Sequence, residues 1–120
     1  MYKLLIIQDS PSINFLLKSR LEPEGFEIDL AETGEDGLKM AKTGKYQLIL
    51  LDFLLPGIDG TKVFAELKKF KETKAIPVLF MSAKEESELK NIINTTGAEG
   101  FITLPCEGKE LAKKIKGYIN

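Results

Sequence analysis

The chain has 120 residues, with Lys plus Arg 17 against Asp plus Glu 18, a net charge of -1, no His, no Trp and one cysteine, Cys106. That length fits a single domain over 1–120 with room for a core. At 43% hydrophobic and 29% charged residues the composition is that of an ordinary globular protein, neither disordered nor fibrous. Without His there is no Ser-His-Asp or Cys-His nucleophile, no imidazole base and no His-ligated zinc. One cysteine closes no disulfide within the chain, which suits a reducing compartment. No stretch approaches the roughly 20 apolar residues of a membrane helix. The run Leu4–Ile7 is too short for a signal peptide. A cytoplasmic location without membrane contact is the expectation. Near-zero net charge gives no general pull towards nucleic acid, and Glu66, Glu72 and Glu110 interrupt the lysine groups.

Two hydrophobic periods alternate along the chain. Leu4–Ile7 is a short, unbroken apolar run, as expected of a strand covered on both faces. Ser10-Pro11 then opens a helix that carries Ile13, Leu16, Leu17 and Leu21 on one face. Phe26-Glu27-Ile28-Asp29-Leu30 alternates strictly, the pattern of an edge strand. A weaker helix over roughly Glu35–Lys42 turns Leu38 and Ala41 inward, is loosened by Gly37 and closes at Thr43-Gly44. Leu48–Leu51 is the second doubly buried run. Asp59 caps a third helix with Val63, Leu67 and Phe70 on its inner stripe. Val78–Met81 is the third buried run, followed by a helix bearing Leu89, Ile92 and Ile93. Phe101–Leu104 is a shorter fifth strand, and Leu111 with Ile115 marks the last helix.

Five βα units in strict alternation predict an α/β fold with a parallel five-stranded sheet, right-handed crossovers and helices on both faces. Three doubly buried strands and two edges fit the flavodoxin-like, doubly wound order 2-1-3-4-5.

In such sheets ligands bind beyond the C-terminal strand ends, where the strand order reverses. Strand 1 ends in Gln8-Asp9, strand 3 in Asp52 and strand 4 in Ser82, so two carboxylates and a hydroxyl converge there. Two carboxylates repel unless a cation or proton lies between them. Mg²⁺, which commonly uses one or two carboxylates plus waters and phosphate oxygens, is the natural resident. With that charge masked, Asp52 can act as a carboxylate nucleophile towards phosphorus. The plainer alternatives are that Asp9 and Asp52 cap turns, and that Ser82 belongs to a capping box with Glu85.

Leu50-Leu51-Asp52-Phe53-Leu54-Leu55-Pro56-Gly57-Ile58-Asp59-Gly60, with Ile76-Pro77-Val78, Ser82-Ala83, Gly97-Ala98 and Phe101, resembles the receiver domain of two-component response regulators over essentially the whole chain. The resemblance implies that Asp52 accepts a phosphoryl group from the phosphohistidine of a sensor histidine kinase or phosphotransfer protein. It implies that Mg²⁺ is held by Asp9, Asp52 and the backbone carbonyl of Leu54, that Ser82 contacts the phosphoryl group and that Phe101 is the aromatic switch. A downstream protein partner would dock on the face of the fourth helix, fifth strand and fifth helix, which includes Lys90, Asn94 and Lys109.

Two positions depart from the family pattern. Gln8 stands where an acid is usual; it reaches the ion only weakly, through water, and leaves two negative charges instead of three. Leu104 stands before Pro105 where the family has a Lys. A unit-charge contact near 4 Å is worth roughly 4 kcal/mol at an effective dielectric of about 20, before desolvation. Lys84 is the nearest replacement in sequence, and a solvated side chain is its expected state. A phosphorylation-independent pseudo-receiver that docks proteins is therefore the alternative to a phosphoacceptor. A turnover enzyme is not expected, because Leu54 stands where aspartate-nucleophile phosphatases carry a second Asp. No effector domain is visible in these residues, so the chain is read as either a stand-alone receiver or part of something longer.

Overall fold

The computed structural model describes residues 2–53, 60–82, 97–103 and 108–119. Its elements run β1 Tyr2–Ile7, α1 Pro11–Leu21, a 3₁₀ turn Glu22–Glu24, β2 Phe26–Ala31, α2 Gly34–Thr43, β3 Leu48–Asp52, α3 Gly60–Lys69, β4 Val78–Ser82 and β5 Gly100–Thr103. A C-terminal helix, Gly108–Ile119, follows. The helix expected around Leu89, Ile92 and Ile93, and the cap Asp59, lie outside the described residues.

All strand pairs are parallel, and the order is β2-β1-β3-β4-β5, as the alternation of the two periods predicts. Leu4–Ile7, Leu48–Leu51 and Val78–Met81 have no exposed surface, because helices cover the sheet on both sides. Alternate residues feed two cores. One joins Leu4, Ile6, Leu48, Leu50, Leu79 and Met81 to α1 and the C-terminal helix; the other joins Leu5, Ile7, Ile49, Leu51, Val78 and Phe80 to α2 and α3. Each fully buried Leu or Ile contributes roughly 1.5–3 kcal/mol of transfer free energy, so these three strands carry a large share of the driving force.

Three helix faces differ from the sequence expectation. In α1, Leu16 is 37% exposed and Asn14 takes an inner position beside Leu17 and Leu21. In α3, Phe64 joins Val63 and Leu67 in the core. Phe70 falls beyond the helix end, half-buried, with the Lys42 ammonium 3.6 Å from its ring centre. In α2, Gly37 is not merely a loosening residue. A Cβ there would lie 2.5 Å from Ile7 Cδ1, so glycine lets α2 settle directly on β1.

The opposite end of the sheet is tied by side chains. Tyr46 Oη donates to Asp29 Oδ2 at 2.6 Å, and Lys3 Nζ lies 3.8 Å from the same oxygen. Burial first, and then the neighbouring Asp29 carboxylate, hold the Tyr46 phenol well above its ordinary range.

Candidate functional site

The candidate site lies at the C-terminal rim of β1 and β3, where the strand order reverses. Ile7 of β1 pairs with Leu51 of β3, so Gln8 stands level with Asp52, and Asp9 follows one residue beyond. On the far side Asp52 pairs with Met81, and Ser82 pairs with Thr103. Asp9, Asp52 and Ser82 thus leave three adjacent strands within about one residue of the same level. Of Ser82 the structure describes the strand position only. Asp9 is exposed and Asp52 half-buried, so one acid faces water while the other sits at the base of the rim.

Asp9 sits in a short turn that is bonded on both sides. The Gln8 amide N–H donates to Ala31 O at 2.9 Å, continuing the ladder one residue past β1. Gln8 itself is only 3% exposed, and its Oε1 accepts from the Ser10 N–H at 3.1 Å. Ser10 caps α1: its Oγ accepts from the Ile13 N–H and its carbonyl from the Asn14 N–H. Asn14 Nδ2 donates back to Gln8 O at 2.9 Å. The Gln8 side chain is thus engaged inside the turn.

Backbone contacts fix the β3 exit as well. The Phe53 N–H donates to Met81 O, and the Gly60 N–H to Phe53 O, both at 3.2 Å. The Phe53 ring meets Phe80 edge-on with centroids 5.9 Å apart, anchoring the residue after Asp52 in the core between the sheet and α3. Gly60, which the sequence offered only as part of a motif, has a physical task here. A Cβ on it would lie 2.6 Å from Asp52 O and 2.7 Å from Phe53 O.

Leu54, Lys84, Lys90, Asn94, Leu104 and Pro105 lie outside the described residues. Phe101 is half-buried on edge strand β5, packed against the core of α2 and α3, with Lys114 Nζ 4.9 Å from its ring centre. Lys109 is exposed on the C-terminal helix.

Among the described residues no three of His, Cys, Asp and Glu come together as a metal cluster. The rim therefore offers a pair of acids. An oxygen-only donor set of two carboxylates fits Mg²⁺, which keeps most of its waters, and does not fit a fully caged ion. No helix among the described residues is long and apolar enough to cross a membrane.

A family profile for the response regulator receiver domain matches residues 4–116. Protein PilH of Pseudomonas aeruginosa is 33% identical over 119 residues, which cover 99% of this chain and 98% of PilH. The alkaline phosphatase synthesis transcriptional regulatory protein PhoP of Bacillus subtilis is 35% identical over 98% of this chain but only 48% of its own length. The chain thus spans nearly all of PilH and about half of the transcriptional regulator. Among solved structures, response regulator protein TrrA of Thermotoga maritima, in complex with Mg²⁺-BeF, superimposes with TM-score 0.86 at 35% identity, covering 98% of this chain and 99% of that one. The receiver domain of sensor histidine kinase PA1611 from P. aeruginosa has a magnesium ion in its active site cleft. It superimposes with TM-score 0.89 at 20% identity, covering 98% and 97% of the two chains, a likeness of fold. By profile, sequence and fold, the chain belongs to the response regulator receiver domains of two-component signalling.

Proposed function

We propose that this receiver accepts a phosphoryl group on Asp52 from the phosphohistidine of a sensor histidine kinase or phosphotransfer protein and so switches a protein-docking surface. The observation that carries this reading is the register of β1 and β3, which brings Asp9 and Asp52 to one rim of the sheet. An Asp52 carboxylate oxygen attacks phosphorus in line with the donor imidazole. An O–P bond forms, the P–N bond breaks, and its electron pair returns to the imidazole nitrogen. Asp9, Asp52 and the carbonyl of Leu54 are the groups that would hold Mg²⁺. When bound, that ion offsets the charge on the acids and on the transferring phosphoryl oxygens.

Gln8 brings no charge to the ion. With one Oε1 lone pair spent on Ser10, it has one left for a metal-bound water, which points to weaker binding than a three-acid site gives. Ser82, at the end of β4, is the hydroxyl for the phosphoryl group, and Phe101 is the ring whose position reports it. The reading is of a phosphoacceptor without turnover, working in the cytoplasm as one domain over 1–120. Its output face would join the segment around Lys90 and Asn94 to β5 and Lys109. The engaged Gln8 side chain, together with Leu104, favours a second reading, the pseudo-receiver that docks proteins without phosphorylation.

Intact-mass measurement after incubation with Mg²⁺ and acetyl phosphate separates the two. The phosphoacceptor reading expects the mass of one added phosphoryl group, absent from Asp52→Asn. No added mass at saturating donor overturns it. A Leu104→Lys variant that alone becomes modified would establish the pseudo-receiver reading.

A further inference from the structure

We infer that Asn14 is a positioning residue for the divalent-ion site, acting through the turn that carries Asp9; this rests on the metal-dependent phosphoacceptor reading. Asn14 bonds to both neighbours of Asp9. Its Nδ2 donates to Gln8 O at 2.9 Å, and its backbone N–H donates to Ser10 O at 3.0 Å. The Gln8 Oε1 bond to the Ser10 N–H closes the turn across Asp9 itself. The Asn14 side chain therefore holds the backbone before the carboxylate, while its main-chain N–H makes the ordinary first helix bond to the residue after it.

The position is costly for an amide. Asn14 is 4% exposed, on the inner side of α1 near Leu17 and Leu21, and its Oδ1 has no hydrogen-bond partner among the described residues. A buried polar atom without a partner destabilises a fold, and a leucine would suit the position better on packing alone. Retaining an amide at such a position calls for a compensating role. The half of the amide that is bonded points to that service: it fixes the carbonyl that precedes Asp9. Asn14 does not touch the ion. It restricts the directions in which Asp9 leaves the sheet, and so spares the ion the entropy of ordering the turn.

The test is a Mg²⁺ titration of the full chain, followed by the backbone amide shifts of Asp9, Ser10 and Phe53, with urea stability measured in parallel. Asn14→Leu removes the donor and keeps the branched shape at a larger volume. Asn14→Ala gives the same reading should leucine overpack the site. Leu17→Val perturbs the same buried side without touching the turn. Weaker Mg²⁺ binding by about tenfold in the Asn14 variants, with Leu17→Val unchanged, is expected. Affinity within about twofold of the parent in both Asn14 variants overturns the inference, as does an equal loss in Leu17→Val. A parent chain that shows no saturable Mg²⁺ binding would instead remove the underlying reading of the site.

Discussion

Gly60 lies so close to Asp52 that a Cβ on it would sit 2.6 Å from the Asp52 carbonyl oxygen. The obstacle is backbone, from Asp52 and Phe53 together, and cannot rotate away as a side chain would. Gly60→Ala should therefore displace the peptide that follows Asp52, although alanine is the better helix former by up to about 1 kcal/mol. We expect a net loss of about 2 kcal/mol in urea unfolding and weaker Mg²⁺ binding at Asp52. An alanine variant as stable as the parent, binding Mg²⁺ equally well, would show that the contact is not limiting.

Lys68 and Glu99 form a second junction, between α3 and the start of β5. Lys68 Nζ donates to Glu99 Oε1 at 2.8 Å and to the carbonyls of Ile76 and Lys74 at 3.2 and 3.3 Å. Glu99 Oε2 accepts from the Val78 N–H at 3.0 Å, so the pair secures the entry of β4. Both side chains are under a third exposed, at 27% and 32%, and solvent still screens part of the attraction. Lys68→Met should cost about 1 kcal/mol by urea denaturation with an unchanged slope. Glu99→Gln keeps an acceptor for Val78 and should cost less. Equal losses in the two variants would mean that the charge, not the backbone contacts, does the stabilising.

The sheet was legible from the sequence because its burial is total. Strands covered on both faces can only be apolar runs, and the ends of Leu4–Ile7 and Leu48–Leu51 place Asp9 and Asp52 without further information. The helices were harder. Ile13, Leu16, Leu17 and Leu21 suit an apolar stripe, but α1 meets only a narrow part of the sheet. It turns Asn14 inward and leaves Leu16 at the margin. No local pattern marks a buried amide whose partner is a backbone carbonyl six residues away. The roles of Gly37 and Gly60 were hidden for a related reason: propensity describes a residue's own helix, whereas both glycines answer to a neighbouring element. Lys68 and Glu99 are separated by 31 residues, and no local pattern pairs them.

Tyr46 supplies a pH test. Its phenol is raised above the ordinary value of 10.0, by burial first and then by the hydrogen bond to Asp29. A raised value means that the native state keeps its proton while the unfolded chain has already lost it. The stabilisation is complete below pH 10 and falls as pH rises, because there the unfolded state binds fewer protons. The slope for one proton approaches about 1.4 kcal/mol per pH unit. Tyr46→Phe has no proton to lose, so its stability should decline less steeply between pH 10 and 11. Subtracting the two urea series removes the lysine titrations common to both. Parallel curves would show that the phenol ionises equally well in the folded protein.

Phe101 and Lys114 allow the proposed switch to be observed directly. The ring is half-buried on an edge strand, and the ammonium lies 4.9 Å from its centre, within cation–π range. Such a contact is worth about 0.5–1 kcal/mol at an exposed site, enough to bias a ring between two positions several-fold. The chain has no tryptophan, so Phe101→Trp introduces a single reporter. If phosphorylation at Asp52 draws the ring inward, Mg²⁺ with beryllofluoride should shift its emission to the blue, and Asp52→Asn in the same background should abolish the shift. Adding Lys114→Met removes the outer contact, so the inward position should already be more populated before ligand is added and the remaining shift should be smaller. Emission that stays constant while the Asp9 and Phe53 amides report ligand binding would separate Phe101 from the switch and leave it as edge-strand packing.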